Sequence, residues 1–574
     1  MLSEMKKMPA TFALILVLSF TLVSLPQIEV VKAESTIYIR ADGTVEGTDK
    51  IQQEGNVYTL TDNIYDPIVV ERDSIVLNGG GYLLQGLGTG RGIELSDRKN
   101  VTIKNLEINQ FEIGIYVYDY CNPCNNTISG NKITNNSYGI YIESSNNNTI
   151  SGNNLTNNDY GIFLLVAHFN MLRNNRMAEN EQNLIVQGAD PADLTQYVDT
   201  SNTVNDKPVY YWIEEQDKTV PSDAGYVALT RCTNITVQNL HLTNNGQGIL
   251  LASTTNSTIT KNTIKNNNEG IRLWDSSNNI ISENIITNND RGIWVQGTYP
   301  THSPNNRIYG NTIANNNECG ILIVDSVDNS IHGNNITNNG QGIHILSFME
   351  TTNNTIHHNN FINNTEQASV PGWWHMIVFE EHWVPPASNF WDDGKEGNYW
   401  SNYVTRYPNT TETDGFIWST PYNISENNQD SYPLTAPIYL FDAGTWEWTQ
   451  YNVYVISNST PSDFSFNPEE GALIRFNVEG EDGTTGFCRV TIPKGLLYAE
   501  GDWTILVDGA SVTPTIDEDT SNTYLYFTYN RSTKTVEIIG TDAIPEFPSW
   551  IILPLLIIIT FAAIIYKKRL PKKH

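Results

Sequence analysis

A block that begins at Asn125 as NNTISGNKITNNSYGIYIES recurs along the chain with only some of its letters changed. It returns as NNTISGNNLTNNDYGIFLL, NSTITKNTIKNNNEGIRLWD, NNIISENIITNNDRGIWVQG and NSIHGNNITNNGQGIHILS. A repeat of about 22 residues is too short to bury its own apolar side chains, so consecutive copies must stack and share a core. After the glycines of the Gly-Ile pairs (Gly114, Gly139, Gly161, Gly248, Gly270, Gly292, Gly320, Gly342) apolar residues alternate with variable ones. That is the period of a strand with one buried face. Two shorter alternations, as around Ile128 and Ile133, complete each copy, and Asn and Gly turns separate the three. The expectation is an all-β right-handed parallel β-helix.

In such a coil, equivalent positions stack at about 4.8 Å and become columns. Ile115, Ile140, Ile162, Ile249, Ile271, Ile293, Ile321 and Ile343 define an inner apolar wall. Asn105, Asn131, Asn153, Asn239, Asn262, Asn284, Asn311, Asn334 and Asn359 define a column at a turn, where stacked amides can satisfy one another.

The ends read differently from the body. Lys6 and Lys7 precede an apolar run from Phe12 to Val23, with small residues placed for cleavage after Ala33, the pattern of a signal peptide over residues 1–33. Residues 550–566 form a second apolar run that would span ~26 Å as a transmembrane helix. The basic tail 567–574 would then stay on the cytoplasmic side, which puts the body at the cell surface. A formal charge of −30 repels phosphate backbones and argues against a nucleic-acid partner. Sequons such as Asn100, Asn147 and Asn335 suit an exported glycoprotein. Among five cysteines, Cys121 and Cys124 are spaced for a small-loop disulfide in an oxidising exterior.

Between these ends the composition shifts at several places. Residues 34–91 read as an N-terminal cap with first coils, and 92–364 as the repeats, with a lateral insertion near 190–226 where the period breaks. Residues 365–436, rich in Trp and Tyr, read as a plug over the last coil. Alternating segments with Asp-Gly turns over 437–543 suggest a small β-sandwich, followed by a PEFP linker at 544–549.

The repeats, the segment from Lys207 to Tyr211 followed by VPSDAGYVAL, and the segments NFWDDGKEGNYWSNY and PYNISENNQDSYPL resemble the NosD-like β-helix family. That family belongs to a wider set of carbohydrate-binding and sugar-hydrolase β-helices. The resemblance covers roughly Thr36 to Leu434 and implies a parallel β-helix; it makes copper an implied ligand, with no cofactor read from the residues themselves. The tail IPEFPSW resembles the C-terminal anchors of archaeal surface proteins, which implies either a retained helix or processing by an archaeosortase.

Two sets of variable residues are candidates for function. Tyr116, Tyr141, Phe163, Arg272, Trp274, Trp294 and His344 fall at outward positions after the Gly-Ile pairs, and exposed aromatics with polar neighbours suit the stacking of sugar rings. An extracellular or cell-wall glycan is therefore the leading partner. His332 in SIHGNN and His357 in TIHHNN hold the same repeat position, with His358 adjacent, and stacked imidazoles would suit a copper or zinc ion. The alternative to the metal is solvated histidines in an Asn turn. No carboxylate pair at glycosidase spacing stands out, so the sequence leans toward a binder. A polysaccharide lyase, hydrolase or epimerase, and a copper-handling protein, are the alternatives.

Overall fold

The computed structural model describes residues 36–543 apart from 120–122, 299, 349–350, 378–379, 385, 447–448, 467 and 469–471, and no side chain between 373 and 384. The leader 1–33, the PEFP linker, the apolar run 550–566 and the basic tail lie outside the described residues. Among the described residues no helix is long and apolar enough to cross a membrane.

The repeats coil into a parallel β-helix in two parts. In the first, the Gly-Ile strands Arg91–Ser96, Ile113–Tyr118, Tyr138–Glu143, Tyr160–Leu165 and Gln182–Gln187 pair in parallel and in register along one face. Short strands such as Thr127–Ser129 and Lys132–Thr134 build the other two faces. In the second part Tyr226–Thr230, Gln247–Ala252, Glu269–Trp274, Arg291–Gln296, Cys319–Val324 and Gln341–Leu346 form the equivalent face. Every member of the expected isoleucine wall is fully buried.

The double asparagines of the repeat divide two tasks. The first of each pair, as in Asn135, Asn157, Asn266, Asn288, Asn315 and Asn338, takes a left-handed backbone with φ of 54 to 56° and turns the corner. Asparagine tolerates that region better than most residues. The second points inward, and its side-chain oxygen accepts both the backbone N–H and the amide of the asparagine one coil back. At another corner, where mostly single asparagines stand, Asn131, Asn153, Asn175 and Asn202 make the same kind of ladder in the first part, and Asn262, Asn284, Asn311, Asn334, Asn359 and Asn398 in the second, at 2.9 to 3.1 Å between amides. Asn105 and Asn239, expected in this column, instead stand exposed at the left-handed position, and Leu106 and Leu240 start the ladders by donating their N–H to Asn131 and Asn262. The other two corners of the coil carry ladders of the same kind, for example Asn136 to Asn158 and Asn279 to Asn306.

The segment near 190–226 does not leave the solenoid as a lateral insertion. Tyr197–Val198 and Thr203–Val204 pair in parallel with the coil before them. The chain then reverses through Asn205 and Asp206, both at positive φ, and Lys207–Ile213 runs antiparallel to Thr203–Val204. That strand becomes the first of the second part, so one sheet of 14 strands spans both. The reversal turns the outer side of the second part's first coils onto the open end of the first part. Tyr226, Ala228, Leu250, Ala252 and Trp274 share a core with Leu184, Leu194 and Val198. Backbone bonds from Asn183 to Asn244 and from Gly246 to Leu184 fasten the joint at 2.7 and 3.0 Å.

At the other end the inner wall changes from isoleucine to rings. Trp400 lies between Phe361 and Tyr422 with centroids at 4.4 and 4.1 Å and planes within 7°, and Trp391 packs beside it. The aromatic-rich segment thus plugs the solenoid. Beyond it, strands Ile438–Trp446, Thr449–Ser457, Thr485–Pro493, Asn522–Asn530 and Thr515–Glu518 form one antiparallel sheet, and Thr460–Phe466, Leu473–Glu479, Lys534–Ile539, Thr504–Val507 and Ala510–Val512 form another. Phe476, Val490, Ile505, Leu525 and Val536 fill the core between them. This sandwich sits against the last coils. Asn360 exchanges two hydrogen bonds with the backbone of Ile438, and Leu440 lies over Gly333, whose φ of 65° and crowding would both resist a side chain.

Candidate functional site

The three histidines meet where the sandwich covers the second part. His332 and His357 are aligned in parallel neighbouring strands, and their rings stack at 5.8 Å and 15°. His358 is held at φ 57° in the left-handed position that Gly310 and Gly333 fill in earlier coils. A histidine there is uncommon and strained relative to glycine. The side chain is turned under the plug, where Nε2 lies 3.0 Å from Glu396 and 3.9 Å from Asp393. Glu396 is itself buried, and its second oxygen accepts from Nε of Arg489, which reaches over from the sandwich at 3.0 Å.

These histidines are therefore not freely solvated residues of an Asn turn: His358 is buried, and His332 and His357 are half-buried where the sandwich and the plug meet the coil. Burial pushes His332 down to about 3 and His357 down to about 4, with the charge of His358 adding to both. Burial would push His358 down too, but its hydrogen bond to Glu396 and the nearby carboxylates outweigh that and raise it. Burial pushes Glu396 up, and His358 with Arg489 more than reverse this, leaving it below the usual range. His332 and His357 are neutral, the form that ligates metals.

One donor atom each from His357, His358 and Asp393 lie within 4.8 Å of one another. Nδ1 of His357 is buried and makes no hydrogen bond among the described residues, an orphan that a cation would satisfy. Two imidazoles and a carboxylate suit copper, zinc or nickel. His332 lies alongside, but its Nδ1 is committed to the hydroxyl of Tyr454 at 2.8 Å. Sequence reasoning found the histidines and missed Asp393, Glu396, Tyr454 and Arg489. The acidic run DDGKE after Trp391 was the available signal for the first two; nothing local to Tyr454 or Arg489 points to a docked sandwich.

The outward aromatic column does not stay together. Arg272 and Trp274 are 5 % and 2 % exposed, buried where the two parts of the solenoid meet, so neither can meet a polysaccharide. Arg272 lies between the rings of Trp294 and Trp274 at 3.9 and 4.6 Å and ion-pairs with buried Glu269. Trp294 and His344 are half-buried on the same face, with Leu322 buried between them. On the first part the aromatics do gather. Tyr138 stacks on Tyr160 at 4.6 Å, with Tyr141 and Phe163 5.0 Å apart beside them, all half-buried. Tyr116 is more deeply buried and donates to Glu143 at 2.7 Å. Burial raises the phenol of Tyr141 to about 12. Cys124 is disulfide-bonded, and Cys121 lies outside the described residues.

A parallel β-helix whose last coils carry a histidine cluster under a β-sandwich defines the class. The family described as periplasmic copper-binding protein (NosD) matches residues 67–204 and 198–405, more than half of the sequence, and the chain belongs to that family. No curated protein matches it. Among solved structures, the Dettilon tailspike protein is 14% identical with a TM-score of 0.21, covering 82% of this chain and 87% of its own. The A-module of the Azotobacter vinelandii mannuronan C-5 epimerase AlgE6 is 13% identical with a TM-score of 0.26, covering 58% and 88%. The lacto-N-biosidase from Eubacterium ramulus is 12% identical with a TM-score of 0.20, covering 54% and 61%. Likenesses at this level transfer no chemistry.

Proposed function

We propose that this chain binds a transition-metal ion, copper foremost, through His357, Asp393 and His358, the last releasing its proton on binding, on an exported body anchored at the cell surface. The observation that carries the reading is the orphaned Nδ1 of His357 in a group of two imidazoles, one buried and one half-buried, and the exposed carboxylate of Asp393. The family's description and the neutral state of His357 support it. Bound there, a copper ion would supply a redox-active or Lewis-acidic centre. The protein's own part is to hold His358 in place through Glu396 and Arg489 and to cover the imidazole side of the group with the sandwich. The leader, the apolar run 550–566 and the basic tail support export with a C-terminal anchor, with or without archaeosortase processing. Copper titrated into untagged full-length protein should bind at one equivalent, with nitrogen couplings in its paramagnetic resonance spectrum. A His357→Ala, Asp393→Asn double variant should weaken binding at least about tenfold, the loss of one or two ligands; unchanged affinity would sink the reading.

A second reading rests on the half-exposed cluster of Tyr138, Tyr141, Tyr160 and Phe163, flanked by Glu143 and Asp159. Rings with adjacent carboxylates suit a glycan, the rings for stacking and the acids for hydroxyls. On a glycan array, Tyr138→Ala with Tyr160→Ala should remove a signal that Trp274→Ala leaves in place. Equal signals from both variants would mean that the cluster is only packing.

A further inference from the structure

The plug and the sandwich leave a cleft of about 390 Å³ between them, next to the histidine cluster through Glu396. Its floor is Arg489, whose side chain is 6 % exposed. Phe416 and Tyr524 flank the guanidinium at 5.0 and 4.4 Å, and Nε is fixed by Glu396. Nη1 and Nη2 make no hydrogen bond among the described residues, so a guanidinium fixed through Nε has both of them free for a ligand in the cleft that it lines. Two parallel N–H groups held this way match the two oxygens of a carboxylate.

The other walls set the body of the ligand. Trp418, one face of which stacks on Tyr403, and Tyr432 supply aromatic surface to the lining. Ser419, Ser431 and the carboxylate of Asp414 offer hydroxyl partners at the rim. Lys395 is paired with Asp517 at 3.2 Å and Arg489 with Glu396 through Nε at 3.0 Å, which leaves Nη1 and Nη2 of Arg489 as unengaged donors on the cleft wall. A ring with several hydroxyls and one carboxylate fits both the size and this division of polar and apolar walls. We propose that this cleft binds a uronic acid, with its carboxylate on Nη1 and Nη2 of Arg489. The cleft uses none of the three metal ligands, though Glu396 joins Arg489 to His358, and it stands apart from the aromatic cluster of the first part.

The test is calorimetric titration of the full-length protein with D-glucuronate, D-glucose and acetate, which separate the whole ligand from its ring and its carboxylate. Glucuronate should bind at least about tenfold more tightly than either fragment. Arg489→Lys keeps the charge but loses the fork and should cost about tenfold in glucuronate affinity. Tyr432→Ala touches neither the Arg489 to Glu396 pair nor the core, and should weaken glucuronate binding while leaving the melting midpoint in place. Tyr138→Ala should have no effect, which keeps this site distinct from a glycan surface on the first part. Glucuronate binding no tighter than glucose, or undiminished in both Arg489→Lys and Tyr432→Ala, would overturn the proposal.

Discussion

Arg91 with Glu94, and Glu269 with Arg272, occupy the same two places of the repeat on either side of a Gly-Ile pair, with the charges exchanged. Both are ion pairs of nearly equal length, 2.9 and 3.0 Å, and both arginines lie on an aromatic ring, Tyr116 at 3.8 Å and Trp294 at 3.9 Å. Their surroundings differ completely. Arg91 and Glu94 are 40% and 26% exposed on the open face of the first part, whereas Arg272 and Glu269 are 6% and 0% exposed under the joint. The repeat fixes which side chains point outward. What an outward side chain meets is set by the reversal at Asn205 and Asp206, far away in sequence.

The largest way to break this comparison is Arg272→Ala. It leaves Glu269 buried with only Gln247 as a partner at 3.2 Å, and removing one member of a buried pair costs ~3–5 kcal/mol. The midpoint of denaturation, followed by circular dichroism, should fall accordingly. A double variant, Glu269→Gln with Arg272→Met, removes both charges and should recover part of the loss. An Arg272→Ala midpoint within error of the parent would mean that the joint is hydrated and the two faces are alike.

Asn153→Ala and Asn284→Ala come next and sharpen the comparison by showing what the two parts share. Each asparagine accepts two hydrogen bonds from the coil before and donates to a carbonyl and to the asparagine after it. Orphaning such buried groups costs ~2–3 kcal/mol. The loss should be the same in both parts, because the ladder is interior and indifferent to what covers the outer face. Unequal losses would show that the first and second solenoids differ inside as well as outside.

That division also explains how much could be read from the chain alone. The isoleucine wall and the stacked amides follow from a period that every copy enforces, so Ile140 or Asn153 can be placed without coordinates. The positions of Asn105 and Asn239 slip by one because each takes the left-handed turn that Gly130, Lys261 or Gly310 takes in other coils, with a leucine rather than an asparagine at the inward position after it. Trp274 looks like a sugar platform until the first part closes over it, joining it to a core that holds Leu194, 80 residues earlier in the chain. The histidine pair was legible as a register match. The carboxylates that complete it were not, since Asp393 and Glu396 come from the plug, where the period has ended.

Arg91→Met is the smallest effect and closes the comparison from the open side. It removes the exposed ion pair with Glu94 and the cation over Tyr116 but retains a side chain long enough to cover the ring. An exposed pair contributes ~0–1 kcal/mol, and a solvent-facing cation–π contact ~0.5–1 kcal/mol, part of which methionine restores through its own contact with the ring. The midpoint should move by less than a quarter of the Arg272→Ala shift, and the residual shift should shrink further in molar salt, where surface charges are screened within a few ångströms. Arg272 is shielded from solvent ions, so its effect should persist in the same salt. If the two arginines instead responded to salt alike, the exposure of the first face and the burial of the second would not be the property that separates them.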